Sequence, residues 1–156
     1  MARPSFVYVT YISTTPEKLW NALRDVELTR QHWGLARNVS DWKVGSTWQH
    51  QDYEDPSSVK VVGKVVESVP PRRLVLTWAS PADAANETKH SLVTFEIEPF
   101  MEAVHLTVTH SELEPDSDML RGITQGWPAI LSSLKTLLET GRPLPMTTRR
   151  WGGRPA

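Results

Sequence analysis

The sequence predicts an α+β fold, with about six to seven antiparallel strands, two short helices after the first strand and one long C-terminal helix. Two observations support this prediction. Several short segments alternate between apolar and polar side chains, and a stripe of apolar residues recurs at spacings of three and four near the end of the chain. Because one-sided alternation indicates a sheet with one covered face, we expect the long helix to cover that face.

The first strand and the two short helices are predicted from the start of the chain. Residues 6–12 alternate between apolar and polar side chains and favour a strand. Thr15 is a suitable N-cap for a short helix over 16–24, which opens with proline and glutamate. Asp25 is a candidate cap for a second short helix, which is expected to extend to about Trp33 and to be ended by Gly34.

The remaining strands are separated by turn-forming residues. Strand-like segments lie at 46–53, 59–69, 73–78, 90–98 and 103–110. Gly63 lies inside the second of these segments and is a candidate β-bulge. Pro70 and Pro71 end that segment, because proline cannot donate to the hydrogen bonds of a sheet. We find no internal repeat and no second domain in the sequence.

The long C-terminal helix is predicted from its apolar stripe. The stripe consists of Met119, Ile123, Trp127, Ile130, Leu131, Leu134, Leu137 and Leu138. Gly141 suits the position just after a helix end. Pro128 lies within the stripe, and an interior proline costs a helix about 3 kcal/mol. We therefore expect a kink or break at 126–128, with the regular helix beginning there and Gly122 and Gly126 in a preceding loop.

The chain is predicted to form one domain over residues 1–141, followed by a tail over residues 142–156. A length of 156 residues suits one domain that buries its own core. The tail is rich in Pro, Gly and Arg and contains no acidic residue, so we expect a flexible, solvated basic segment. The alternative interpretation is a basic arm that Trp151 anchors.

Composition argues against several classes of function. The net charge is −1 with acidic and basic residues interspersed, so no nucleic-acid partner is expected. No apolar run approaches the ~20 residues of a membrane helix, and the start of the chain does not resemble a signal peptide. The chain has no cysteine, which suits a reducing cytoplasm. No metal-ligand cluster or cofactor motif occurs in the sequence, so no metal or cofactor is predicted.

Five segments carry a resemblance to a known superfamily. They are YVTYISTTPEKLWNALRD, the pair Trp33-Gly34, VGSTWQHQD, VVESVPPRRLVLTW and GWPAILSSLKTLLETG. In these segments, which extend over nearly the whole chain to about Gly141, the sequence resembles the START-like, helix-grip superfamily (SRPBCC). Within it, the chain is most similar to the family named for activators of the heat-shock protein 90 ATPase. The resemblance implies a curved antiparallel sheet that grips the last helix and leaves a cavity between them.

The expected cavity would be lined by the concave sheet face and by the helix stripe. Eleven residues are predicted to bind a ligand there: Trp33 at the mouth, Trp48, His50, Trp78, Phe95, Leu106, Val108 and His110 on strands, and Trp127, Leu131 and Leu134 on the helix. A lining that is mostly apolar and aromatic is typical of a small-molecule site. For each tryptophan, the alternative is ordinary core packing.

His50 and His110 are the polar candidates of this set. An imidazole on an apolar face can orient a ligand or transfer a proton near neutral pH. The alternative is a buried histidine whose nitrogens are satisfied by neighbouring groups. His105 falls on the opposite strand face from His110, so the two are not expected to bind one metal. Four carboxylates are interpreted as solvated charges, namely Asp41, Asp52, Glu54 and Glu67.

Three functions remain open from the sequence. The favoured one is a cytoplasmic carrier or sensor for a hydrophobic small molecule, such as a lipid or a polyketide-like compound. The second is a cyclase or aromatase-like enzyme in the same cavity, which needs two titratable groups within reach of one ligand atom, and no catalytic residue is assigned. The third is a protein-binding module that activates a chaperone ATPase. A homodimer through an outward sheet face or an edge strand is also considered, because Val7, Val9 and Tyr11 make the outer face of the first strand less polar than a solvated face.

Overall fold

The computed structural model describes residues 2–151, which form one antiparallel sheet and three α-helices. The strands are β1 (Phe6–Ile12), β2 (Ala36–Ser40), β3 (Thr47–Asp52), β4 (Val59–Val69), β5 (Arg73–Trp78), β6 (Ser91–Phe100) and β7 (Ala103–Ser111). The helices are α1 (Pro16–Arg24), α2 (Val26–His32) and α3 (Asp118–Thr140). Short 3-10 segments lie at Pro81–Asp83, Glu87–Lys89 and Pro145–Thr148. The spatial order β1-β7-β6-β5-β4-β3-β2 confirms the predicted α+β helix-grip fold.

The short helices α1 and α2 begin where their capping residues predict. The Thr15 hydroxyl accepts a hydrogen bond from the Lys18 amide at 3.2 Å. The Asp25 carboxylate accepts from the amides of Glu27 and Leu28, at 2.8 and 3.2 Å. Each cap satisfies amide groups that the first turn of a helix leaves unpaired, so the sequence determines where both helices begin.

The core lies between one face of the sheet and α3. On β6 and β7 the inward side chains alternate as predicted, and the buried ones are Val93, Phe95, Ile97, Val104, Leu106, Val108 and His110. The apolar stripe of α3 packs against them. The sheet and α3 therefore share one hydrophobic core.

Strand β2 was not expected from the sequence. It pairs antiparallel with β3, with Ala36 opposite Asp52. Its inward residues are Ala36 and Asn38, a small and a polar side chain, so it lacks the apolar alternation that marks the other strands. Asn38 is buried because its side-chain amide donates to the Leu23 carbonyl at 3.3 Å.

The predicted break of the long helix at 126–128 is wrong. Helix α3 runs without interruption through Pro128, and both Gly122 and Gly126 lie within it and not in a loop. The Ser117 hydroxyl caps the helix by accepting from the Leu120 amide at 3.1 Å. Burial of apolar side chains from the first two and a half turns, Ile123 and Trp127 among them, stabilises these turns despite the proline.

Gly63 allows a close approach and does not form the predicted bulge. The register of β4 shifts instead at two other places, between Val59 and Val61 against β3 and between Val65 and Glu67 against β5. A Cβ atom at Gly63 would lie 1.9 Å from the Thr77 carbonyl oxygen and 2.4 Å from Nε1 of Trp48. That indole nitrogen donates to the same carbonyl at 2.8 Å. The glycine therefore leaves room for the buried Trp48 ring beside the backbone of β5.

We expect Gly63→Ala to lower the free energy of unfolding by about 3 kcal/mol, at the upper end of overpacking effects, because backbone atoms must move to admit the methyl group. The measurement is urea unfolding of both proteins. Gly126→Ala is the matched control, since a Cβ there has no atom within 4 Å and alanine favours a helix. Equal stability of Gly63→Ala and the unmodified protein would contradict the close approach.

The described part of the predicted solvated tail, residues 142–151, packs onto the domain. Thr147 is fully buried, and its hydroxyl donates to the Gln31 carbonyl at 2.8 Å. The Thr147 carbonyl accepts from the Gly34 amide at 2.7 Å, and the Ser133 hydroxyl of α3 lies 2.6 Å from the Thr147 hydroxyl. These contacts join the segment to α2 and α3, which corrects the expectation of a solvated tail for this part.

The end of this segment also holds an ion pair with β3. Arg150 donates to the Asp52 carboxylate from two nitrogens and to Glu54 at 2.9 Å. Asp52 is almost fully buried, which corrects its interpretation as a solvated charge. The Trp151 ring lies against Gly34, as the alternative of an anchored arm expects. Residues 152–156 lie outside the described part of the chain, and the domain boundary at residue 141 remains a prediction.

Candidate functional site

The eleven residues predicted to bind a ligand come together in the interior between the sheet and α3. Each of them is at most 7% exposed. Four tryptophans form the centre of this group, which we call the tryptophan cluster: Trp33, Trp48, Trp78 and Trp127. The Trp78 ring centroid lies 5.4 Å from that of Trp48 and 5.5 Å from that of Trp127, while Trp33 lies 5.4 Å from Trp127. The four indole rings thus pack against each other in this interior.

A cleft of about 960 Å³ opens to solvent beside the tryptophan cluster. The inner part of its lining is largely apolar and consists of Val61, Trp78, Ser91, Met119 and Ile123. The outer part carries six charged side chains, Lys60, Asp83, Lys89, Glu112, Glu114 and Asp118. One wall is the N-terminal part of α3, and the opposite wall is formed by β4, β5 and the start of β6.

Trp78 is the residue that joins the cleft to the tryptophan cluster. It ends β5, lines the cleft and contacts Trp33, Trp48 and Trp127 on its other side. The other ten predicted residues lie deeper, in the packed interior. A molecule in the cleft would therefore touch the predicted group through this indole, and a role in binding for the other ten remains a prediction.

His110 is fixed in one neutral tautomer by a chain of hydrogen bonds. Trp127 Nε1, which can only donate, lies 3.0 Å from His110 Nδ1, so that nitrogen accepts and carries no proton. The proton is therefore on Nε2, which donates to the Ser91 hydroxyl at 2.8 Å. The hydroxyl in turn donates to the Trp78 carbonyl at 2.9 Å. Both nitrogens of His110 are satisfied, which agrees with the alternative of a buried histidine whose nitrogens are satisfied by neighbouring groups.

This arrangement has a chemical consequence for Ser91 and His110. A histidine that activates a serine must accept the hydroxyl proton, and here the facing nitrogen already carries one. Burial also lowers the pKa of His110 to about 3, which opposes the protonated state. The pair thus acts as a positioning network that fixes Trp78 and Trp127, and the geometry does not favour nucleophilic chemistry.

His50 is also neutral, but a different neighbour selects the other tautomer. Its Nδ1 donates to the Asn38 side-chain oxygen at 2.7 Å, because an amide oxygen can only accept. Burial, followed by the nearby positive charge of Lys60, lowers the pKa of His50 to about 3. The ring lies 5.1 Å from the Trp33 ring. His50 and His110 therefore belong to separate sets of hydrogen bonds, one through Asn38 and one through Ser91 and Trp127.

The charged side chains at the cleft opening are partly paired with each other. Lys89 lies 3.6 Å from Glu114, and Asp118 accepts from Arg121 at 2.7 Å. Lys60 has no ion pair among residues 2–151. The opening can therefore offer one free ammonium group to the polar end of a bound molecule.

Several of these residues escaped sequence analysis for identifiable reasons. Ser91 begins β6 on the same face as Val93, so strand alternation places it inward, but a single serine gives no functional signal. Asn38 lies on the strand that alternation did not reveal. No group of three or more His, Asp or Glu side chains suited to a metal ion occurs within residues 2–151. No helix in that part of the chain is long and apolar enough to cross a membrane.

The family described as Activator of Hsp90 ATPase homolog 1-like protein matches residues 13–139. Among solved structures, the chain is similar to protein MLL2253 from Mesorhizobium loti, with 28% identity, a TM-score of 0.71 and coverage of 86% of this chain and 96% of that one. It is also similar to PFC0360w, an HSP90 activator from Plasmodium falciparum, with 25% identity, a TM-score of 0.69 and coverage of 86% and 95%. The Aha1 dimer from Colwellia psychrerythraea shares the fold, with 22% identity, a TM-score of 0.70 and coverage of 88% and 98%. No curated protein matches the chain.

Proposed function

The chain belongs to the family of Activator of Hsp90 ATPase homolog 1-like proteins, and we propose that it binds a small molecule with a flat apolar body in the cleft beside the tryptophan cluster. In this proposal the protein is a cytoplasmic carrier or sensor. The observation that carries it is the cleft itself, about 960 Å³ in volume and with Trp78 in its inner wall. That volume is within the range of small-molecule sites, which lies at roughly 300–1,000 Å³.

The composition of the cleft supports a ligand with two different ends. The inner wall offers an indole, a thioether and an isoleucine, from Trp78, Met119 and Ile123, and these suit a flat apolar ring system. The opening offers the ammonium group of Lys60, which suits a carboxylate, sulfonate or phenolate at the other end. A ligand oriented in this way would keep its polar end near solvent.

The proposal is tested by filling the cleft from α3. Gly122 lines the cleft, and a Cβ atom there has no atom within 4 Å. Phenylalanine at this position would occupy the cleft, and it favours a helix more than glycine does. The probe is 1-anilinonaphthalene-8-sulfonate, whose fluorescence rises in an apolar site and whose sulfonate can meet Lys60. We expect Gly122→Phe to weaken its binding at least tenfold.

Gly126→Phe is the matched control, because Gly126 lies one turn further along α3, has equal space for a Cβ and does not line the cleft. We expect this variant to bind the probe like the unmodified protein. Circular dichroism would verify that both variants fold. Unchanged probe binding in Gly122→Phe, or no binding by the unmodified protein, would count against the cleft as a ligand site. Native mass spectrometry of the gently purified protein would then give the mass of any natural ligand.

A further inference from the structure

The inner part of the cleft carries one hydroxyl group, that of Ser91. The other inner residues offer apolar or aromatic side chains, namely Val61, Trp78, Met119 and Ile123. Ser91 is itself 3% exposed. A buried polar atom that a ligand leaves unpaired costs free energy, whereas one that the ligand pairs does not. The contacts of this oxygen therefore decide which ligand groups suit the inner end of the cleft.

The Ser91 hydroxyl retains one unused acceptor position. A serine hydroxyl has one proton to donate and two lone pairs that accept. The proton is donated to the Trp78 carbonyl at 2.9 Å, and one lone pair accepts from His110 Nε2 at 2.8 Å. The proton of His110 is on Nε2 because Trp127 donates to Nδ1. No other group within residues 2–151 donates to this oxygen, so it can accept one further hydrogen bond.

The third neighbour of this oxygen is the thioether of Met119. Its sulfur lies 3.5 Å from Oγ of Ser91, and Met119 lines the cleft as Ser91 does. A thioether has no proton to donate, so it leaves the lone pair of Ser91 unfilled. The Met119 side chain is half-buried, unbranched and flexible, and it adapts readily to a new neighbour. A molecule in the cleft can therefore displace the sulfur and reach the oxygen.

The position of the oxygen is fixed before any ligand arrives. Ser91 begins β6 and pairs with Trp78 at the end of β5, so its hydrogen bond to the Trp78 carbonyl joins directly opposite residues. His110 holds the hydroxyl from β7, and Trp127 holds His110 from α3. Because three elements besides β6 orient this hydroxyl, a ligand need not order it on binding, which favours affinity.

We propose that Ser91 determines the specificity of the cleft by accepting a hydrogen bond from a hydroxyl or amino group at the inner end of the ligand. This inference rests on the proposed function, which makes the cleft the binding site. The ligand class is then an aromatic acid with a donor group on its ring, whose anionic end meets Lys60. A ligand without the donor leaves the lone pair of Ser91 unpaired and binds more weakly.

The test compares three probes by isothermal titration calorimetry: 2-naphthoate, 6-hydroxy-2-naphthoate and 6-fluoro-2-naphthoate. The hydroxyl lies at the end of the ring system opposite the carboxylate, and fluorine replaces it without a proton. We expect the hydroxyl compound to bind about fivefold more tightly than the other two, as one additional neutral hydrogen bond gives. Equal affinities for all three would overturn the role of Ser91 and leave the cleft as a ligand site. No binding of any probe, with no binding of 1-anilinonaphthalene-8-sulfonate, would overturn the proposed function and this inference with it.

Two variants then assign the preference to this oxygen. Ser91→Cys should abolish the preference for the hydroxyl compound, because a thiol is a weak acceptor, whereas Ser91→Thr keeps a hydroxyl and should retain it. Ser111→Cys is the matched control, since Ser111 follows His110 on the outer face of β7. The measured quantity is the ratio of the dissociation constants of the fluoro and hydroxyl compounds, because a loosened core would weaken both alike. A ratio that stays at about five in Ser91→Cys, or falls to one in Ser111→Cys, would overturn the assignment.

Discussion

Acidification from pH 7 to pH 4.5 is expected to unfold the protein, because three buried histidines are neutral in the folded state. Burial lowers the pKa of His32 to about 4 and the pKa values of His50 and His110 to about 3. In the unfolded chain each histidine has a pKa near 6.5. Below pH 6.5 the unfolded state therefore binds more protons than the folded state.

The sign of the effect follows from this difference in bound protons. Stability rises with pH wherever the unfolded state binds more protons, so it is fully present above about pH 6.5 and lost as the pH falls toward the folded-state values. Where the unfolded chain holds three protons that the folded chain lacks, the loss is about 4 kcal/mol per pH unit. Domains are commonly stable by 5–15 kcal/mol, so the loss of about 8 kcal/mol over two pH units unfolds a domain in the lower half of that range.

Urea unfolding at a series of pH values between 7 and 5 would measure this slope. Hydrogen bonds from Arg150 lower the pKa of Asp52 to about 2. The stability that this carboxylate contributes is therefore lost only below about pH 4, outside the pH range of the measurement. His32→Leu should reduce the slope by about 1.4 kcal/mol per pH unit, because it removes one of the three protons. His105→Leu, on the outer face of β7, should leave it unchanged. A free energy of unfolding that stays constant from pH 6 to pH 5 would contradict the prediction.

Trp127→Ala is expected to lower the free energy of unfolding by about 3–5 kcal/mol, which is typical of removing a large buried aromatic side chain. The indole is 2% exposed and packs against four other aromatic rings of the core, namely Trp33, Trp78, Phe95 and His110. Its removal also leaves His110 Nδ1 without its donor. Both effects act on the same part of the core.

Thermal and urea unfolding would measure this loss, with Trp151→Ala as the matched control. Trp151 is 38% exposed and lies at the end of the described chain, so the same substitution should cost about 1 kcal/mol or less. Similar effects of the two substitutions would show that Trp127 does not have the central position that its contacts indicate. Trp127→Phe would separate the two effects, because it keeps most of the ring volume but removes the N–H donor.

Local signals in the sequence account for most of the fold. Thr15 and Asp25 cap the short helices because their side chains satisfy nearby amides, and such bonds depend on a few adjacent residues. The inward and outward faces of β6 and β7 follow from alternation for the same reason. The continuous α3 could not be predicted in this way, because its first turns are stabilised by burial against the sheet and not by the local preference of Gly122, Gly126 or Pro128.

The candidate site was predicted less completely because it depends on contacts between distant segments. Alternation placed Trp78 and His110 inward, but the size of the remaining space depends on how four indoles pack together. The hydrogen bond from Trp127 to His110 joins a helix to a strand, and no spacing in the sequence indicates it. The Arg150 and Asp52 pair joins residues that are 98 positions apart in the chain.

The tryptophan cluster gives the protein an optical signature of its folded state. Indoles held at fixed angles and 5.4–6.4 Å apart, as Trp33, Trp78 and Trp127 are, absorb light as an asymmetric array and should give a strong near-ultraviolet circular dichroism signal. Loss of this signal with retained far-ultraviolet signal would identify a molten globule, in which the secondary structure persists but the side chains no longer pack. Circular dichroism in the two spectral regions can therefore distinguish loosening of the core from unfolding of the sheet and helices.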